Sequence, residues 1–205
     1  MVEIGFQMMS DRLDLMLLDK VLPTFHFHVS HRIKIQSTPG HVFEVFKTLK
    51  PAEIPLFNTL FWIRSIPGRL LGQGNKYFVN DGTSLVEQGL RLGFVILGQV
   101  PDQEIVFGTI GKWWKPTGAT FYRFSSLKEF REFDQPGYAR VCGNFYVDAQ
   151  TRSDGLLLLT HETRVEATDS NTYAKFKLYW RVIYPGVALL RRMLLEAIKA
   201  KAEAL

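Results

Sequence analysis

A long amphipathic stretch near the C-terminus constrains the fold most. From 176 to 198, apolar residues recur every three or four positions, which is the spacing of one face of an α-helix. These residues are Phe176, Trp180, Ile183, Val187, Leu190, Leu194 and Ile198. Pro185 lies among them and has no N–H to donate, so a kink or break is predicted there. A helix of about 30 residues must cover a large apolar surface, and a β-sheet provides one.

The preceding chain has the alternating pattern of β-strands. In residues 25–36 the odd positions are apolar except for His31 and the even positions are polar, which predicts a strand with one buried face. Further strands are predicted at 92–100, 104–113, 137–148 and 155–168. Besides the C-terminal helix, three helices are predicted: residues 10–21, the stretch from Thr38-Pro39 to about 49, and the stretch after Pro55. Residues 84–89 fit either a capped helix or a strand. This order predicts an α+β fold.

Several motifs resemble those of a known superfamily. They are His31 to Ile35, Pro39-x-x-Val42-Phe43, Leu60-Phe61-x-x-Arg64-x-x-Pro67, Gly93-Phe94-x-x-Leu97, Glu104 to Gly108 with Gly111 and Trp114, Pro136 to Ala139, Thr160-x-Glu162-Thr163-Arg164-Val165, and Tyr179-Trp180-x-x-Ile183-x-Pro185. Over about 22–204 the chain resembles an uncharacterised bacterial branch of the SRPBCC superfamily, which includes START domains, polyketide cyclases and birch-pollen-allergen-like proteins.

The resemblance implies a helix-grip fold. In this fold a curved antiparallel β-sheet wraps around a long C-terminal α-helix, with a hydrophobic cavity between them. The expected organisation is an N-terminal helical extension at 1–24 followed by a single helix-grip domain at 25–205. Because the superfamily contains carriers, sensors and enzymes, the resemblance identifies no substrate.

Composition narrows the functional classes. The chain has 16 Phe, 7 Tyr and 4 Trp, and such side chains line sites for apolar ligands. Cys142 is the only cysteine, which excludes an internal disulfide and, together with the absence of a secretory signal, favours a cytoplasmic location. No dinucleotide, Walker A, HExxH or G-x-S-x-G motif is present, so no cofactor is expected. No nucleic-acid-binding motif accompanies the net charge of +5.

The strand alternation selects candidate site residues. Four polar side chains share the apolar faces, and in a sheet that curves around the helix they would point into the cavity: His31, Thr109, His161 and Thr163. Aromatic side chains would form its wall or rim, namely Phe107, Trp113, Phe145, Trp180 and Tyr184. His31 and His161 are the candidate general acids or bases. The alternative is that each polar group is satisfied by a protein neighbour.

Two charged residues and the histidine cluster give secondary candidates. Alternation places Glu162 and Arg164 on the outer surface as an exposed pair, and a β-bulge would turn them inward as a second-choice ligand site. His26 and His28 point away from His31 on a strand, so no metal site is expected.

Three functions remain open. The first is binding of a hydrophobic small molecule such as a lipid, polyketide or isoprenoid. The alternative is a cofactor-free cyclase or dehydratase acting on a polyketide-like substrate in the same cavity. The third is contact with a membrane or a partner protein, because the stretch 170–205 has seven Lys or Arg residues and only two acidic residues.

Overall fold

In the computed structural model, residues 16–57, 59, 81–115, 119–148 and 155–204 are described. The helix predicted after Pro55 lies largely outside them, as does the first half of the helix predicted at 10–21. The helices are α1 (Leu17–Val21), α2 (Pro39–Thr48), a 3-10 turn (Pro51–Glu53), α3 (Leu85–Arg91), α4 (Leu127–Glu132) and α5 (Ser170–Ala202). The strands are β1 (Phe27–Ile35), β2 (Val95–Val100), β3 (Glu104–Lys112), β4 (Thr120–Tyr122), β5 (Ala139–Asp148) and β6 (Leu157–Ala167).

The described strands form one six-stranded antiparallel sheet. The order is β1-β6-β5-β3-β2, and β4 pairs with the far end of β3. The curved, open sheet packs against the long C-terminal helix α5, so the predicted α+β helix-grip architecture is confirmed. At the start of α3, the Ser84 hydroxyl accepts a hydrogen bond from the Glu87 N–H. Of the two alternatives predicted for residues 84–89, the capped helix is therefore correct and the strand is wrong.

The two faces of the sheet have different coverings. Odd-numbered residues of β1, β3, β5 and β6 form the inner face, which α2 and α5 cover. Even-numbered residues form the outer face, which α1 and α4 cover. Phe124, Phe130 and Phe133 are buried in the outer cluster, so this aromatic-rich segment is a satellite core beneath α4.

Helix α5 lies along β1. Near its C-terminus, Lys199 Nζ donates to the Lys34 carbonyl at 2.9 Å, and a Glu203 carboxylate oxygen accepts from the Gln36 N–H at 2.7 Å. At its start, Phe176 packs on Phe27 with ring centroids 5.0 Å apart. The helix is continuous through Pro185, so of the predicted kink or break, the break does not occur. Loss of one hydrogen bond is small beside the packing that holds both ends of the helix on the sheet.

Candidate functional site

The middle of the inner face brings together five of the predicted site residues. Cross-strand pairing places His31 opposite His161, and His161 opposite Phe145. In the next row, Thr163 pairs with Gly143, which in turn pairs with Phe107. These five residues, His31, His161, Phe145, Thr163 and Phe107, form the central patch; Phe145 and Phe107 also belong to the apolar cluster beneath the C-terminal half of α5, and a second cluster lies beneath its start.

The middle of α5 packs less tightly over the central patch than its ends do. Phe176, Val187 and Ile198 are each eleven residues apart, so they lie along nearly the same line on the helix. Phe176 and Ile198 are buried, whereas Val187, midway between them, is half-buried. From 177 to 194, a stretch that the structure describes in full, no residue is buried as a whole, although single atoms such as Arg191 Nη1 are buried. The helix is therefore anchored by buried side chains at both ends, whereas its middle is only partly covered, with Leu190 and Leu194 packing against the cluster that contains Phe145.

His161 is held in one orientation and one tautomer. Its Nδ1 lies 2.6 Å from the Asn144 carbonyl oxygen, and because a carbonyl only accepts, Nδ1–H is the donor. The ring stacks on Phe145 with centroids 4.3 Å apart and planes 8° apart. Burial, reinforced by the charge of Arg191, lowers the pKa of His161 to about 3. At neutral pH the ring is uncharged, and Nε2 is a hydrogen-bond acceptor but a weak base.

His31 and Arg191 complete the centre of the site. Burial, followed by the charges of Arg191 and Arg192, lowers the pKa of His31, and its buried Nδ1 has no hydrogen-bond partner among the described residues. Burial also lowers the pKa of Arg191, to about 10, so the guanidinium remains charged at neutral pH. Arg191 Nη1 is buried as well, and it too lacks a partner within the described part of the chain.

Arg191 is the site residue that the sequence analysis missed. It was counted only as one of the basic residues of the C-terminal stretch. A signal was available, since position 191 follows Val187 by four residues and precedes Leu194 by three, which places it on the apolar stripe of the helix. A charged residue on such a stripe indicates a cation turned toward the core, and Arg191 is half-buried as a residue with its Nη1 atom fully buried.

The other predicted residues lie away from the central patch. Thr109 is two residues along β3 from Phe107, is fully buried, and its Oγ1 has no partner among the described residues. Trp113 packs edge-on to Phe121, with ring centroids 5.0 Å apart. Trp180 stacks on Phe176 in the cluster at the start of α5.

Tyr184 lies one turn after Trp180, with ring centroids 5.8 Å apart, and is exposed at the edge of α5. The aromatic candidates thus divide between the central patch and the cluster around Phe176. They do not form one continuous wall.

Glu162 and Arg164 lie on the outer face, as their alternation predicts, but the predicted exposure is wrong. Their side chains are in contact with each other at 2.8 Å, and the residues are only 3% and 7% exposed. The pairing of β6 with both neighbours is regular here, so no bulge turns the pair toward α5. Burial opposes ionisation of Glu162, but hydrogen bonds from His28 and Arg164 outweigh it and hold its pKa at about 2.

Helix α1 accounts for this burial. Arg164 donates to the Asp19 carboxylate at 2.5 Å and to the Leu22 carbonyl at 3.1 Å, which ties the end of α1 to β6. At the other end, the Glu104 carboxylate accepts from the Leu17 N–H at 2.6 Å and the Leu18 N–H at 3.2 Å. The sequence analysis had no means of seeing that so short a helix covers the outer face.

The space next to the central patch is narrow. A crevice beside Phe145 has an empty volume of about 150 Å³ but no room for a water molecule, and its lining is Val42, Phe43, Phe46, Phe145, Val147 and Leu159. Aromatic side chains fill this part of the predicted cavity. A wider cleft, with an empty volume of about 680 Å³, opens at the surface beside the start of α5, next to His26, Asp169 and Tyr173.

Two structural features bear on metal binding and on membrane crossing. Within the described ranges, no three His, Cys, Asp or Glu side chains are grouped so that they could hold a metal ion. Among the helices that the structure describes, none has the length and apolar character needed to cross a bilayer.

Comparisons with known proteins assign no family. No protein-family model matches the chain, and no curated protein matches it. The hypothetical protein jhp0584 from Helicobacter pylori is 10% identical over 90% of this chain and 93% of that chain, with a TM-score of 0.40. The Aha1 dimer from Colwellia psychrerythraea is 11% identical over 87% of this chain and 97% of that chain, with a TM-score of 0.33. The SRPBCC resemblance therefore stays a prediction.

Proposed function

We propose that the protein binds a hydrophobic small molecule between the central patch and the middle of α5. The observation that carries this proposal is the half-burial of Val187, on the same line as the buried Phe176 and Ile198. Native interiors are packed to nearly crystalline density, so a helix face that is tight at both ends and loose in the middle is suited to an additional apolar group. The ligand enters by displacing the aromatic side chains that narrow the crevice.

Binding is favoured over acid–base chemistry by the state of His161. A general base works best when its pKa lies near the working pH, and the pKa of His161 is about 3. Its fixed Nε2 is suited to accepting a hydrogen bond from a ligand hydroxyl. The resemblance to START-like carriers supports the same proposal.

The first experiment identifies a ligand and then blocks its site. Native mass spectrometry of the purified protein, followed by denaturing extraction, is expected to yield an apolar small molecule. Val187→Trp fills the space beneath α5 and is expected to abolish binding of this molecule and of the neutral dye Nile red. Leu189→Trp is the matched control because Leu189 is 43% exposed. Failure of wild-type protein to bind either molecule would contradict the proposal.

A second candidate function is contact with an anionic membrane surface. Leu178 and Val182 are 69% and 73% exposed on α5, one turn apart, and Leu189 lies two turns further along the same side. The exposed Lys177 and Arg181 flank this stripe. An exposed apolar stripe bordered by cations matches the surface of a bilayer that contains acidic lipids.

Vesicle sedimentation tests this second function. Wild-type protein is expected to sediment with vesicles containing phosphatidylserine and to be released by high salt, because the attraction is partly electrostatic. Val182→Ser is expected to weaken sedimentation. Leu90→Ser, at a site 40% exposed on α3, is the control and leaves sedimentation unchanged. Equal sedimentation of wild type and Val182→Ser would exclude α5 as the contact surface.

A further inference from the structure

Arg191 presents an electrostatic problem in the ligand-free protein. Its guanidinium lies beneath α5, close enough to His31 and His161 for its charge to act on both rings. Nη1 is buried and, among the described residues, Arg191 forms neither a hydrogen bond at this atom nor an ion pair with a carboxylate. Burial of an unpaired charge costs several kcal/mol, so native proteins pair such groups with a counter-charge.

Among the residues that the structure describes, none supplies that counter-charge. The groups that interact electrostatically with Arg191 are His31, His161 and Tyr184, and none of them is a carboxylate. The buried carboxylates of Glu104 and Glu162 lie on the opposite face of the sheet, where α1 and Arg164 engage them.

We propose that Arg191 binds the acidic head group, a carboxylate or a phosphate, of an amphiphilic ligand whose apolar part lies against Phe107 and Phe145. The proposal rests on the ligand-binding function proposed above and narrows it to one chemical class. A guanidinium presents planar, parallel donors that match carboxylate and phosphate oxygens, and the pairing is strong where water is excluded. The ligand thus supplies both the missing apolar packing and the missing negative charge.

The test compares an acid with its ester. Oleic acid, oleyl phosphate and methyl oleate are each titrated against the protein loaded with Nile red, a neutral dye. In wild type, at least one of the two acids is expected to displace the dye at least about tenfold more readily than the ester, because a desolvated charge pair contributes that much or more.

Arg191→Met is expected to abolish this preference, so that the acids and the ester displace the dye equally well. Arg192→Met removes the same charge from the neighbouring exposed position and is expected to keep the preference. Retained Nile red binding by Arg191→Met shows that the variant is folded.

The outcomes separate the two proposals. If Nile red and all three oleyl compounds fail to bind wild type, the proposed function fails. If they bind but neither acid is preferred over the ester in wild type, the function stands and the role of Arg191 is refuted. The role is refuted as well if Arg191→Met keeps the preference, or if Arg192→Met loses it to the same degree.

Discussion

Replacement of Arg191 by methionine is expected to stabilise the ligand-free protein. Burial lowers the pKa of Arg191 from 12.5 to about 10. This fall corresponds to about 3 kcal/mol of destabilisation of the folded protein at neutral pH. The sign follows because a base whose pKa falls on folding weakens the folded state at every pH where it is charged. Methionine keeps much of the apolar stem without the charge, so we expect a net gain of about 2 kcal/mol.

Urea unfolding at pH 7 measures this gain on protein that has been stripped of ligand and refolded. A gain of about 2 kcal/mol corresponds to a rise of about 4–8 °C in the melting temperature for a chain of this size. Arg192→Met is the control, and because the side chain is exposed, its effect is expected to stay within about 0.5 kcal/mol. A ligand-free Arg191→Met protein that is less stable than wild type would refute the reasoning, because it would show that the guanidinium already has a stabilising partner.

Three further predictions concern the sheet. Arg164→Met is expected to lower the free energy of unfolding, measured in urea, by about 3–5 kcal/mol, because it leaves the Glu162 carboxylate buried without its cation. In wild type, the stability that Glu162 provides is present above its unfolded pKa of about 4.5 and is lost as the pH falls toward about 2. Gly143→Ala is expected to destabilise the protein by about 1–3 kcal/mol, since the new Cβ would lie 2.9 Å from the Glu162 carbonyl oxygen. In the control Gly89→Ala, in α3, the new Cβ meets nothing within 4 Å, and the protein is expected to be stabilised by about 0.5–1 kcal/mol. Equal melting temperatures of the two variants would contradict both expectations. Burial raises the pKa of Cys142 to about 12, so thiol reagents are expected to label it only after unfolding, and rapid labelling of native protein would be inconsistent with this burial.

The sheet and α5 could be predicted because each depends on a periodic pattern within one segment. Alternation in β1 and β6 places His31 and His161 on the same face, and the antiparallel register then makes them direct neighbours. The same alternation correctly separates Glu162 from His161. Periodicity reports only which side of an element a residue occupies, so the cover over that side had to come from the structure. The buried Arg164 illustrates this, since its exposure is set by α1, 145 residues away along the chain at Asp19.

Arg191 shows how charge and position can be misread when they are considered separately. Counted by charge, it belongs with Lys177, Arg181 and Arg192, which are exposed on α5. Counted by position, it occupies the apolar stripe, where a cation is costly unless an anion meets it. Its charge predicts exposure and its position predicts burial, and the two predictions conflict at Arg191. They do not conflict in the same way at Lys199, whose ammonium group donates to the Lys34 carbonyl near the end of the helix. A local conflict of this kind marks a site that folding alone does not explain, and the acidic head group of a ligand would resolve it.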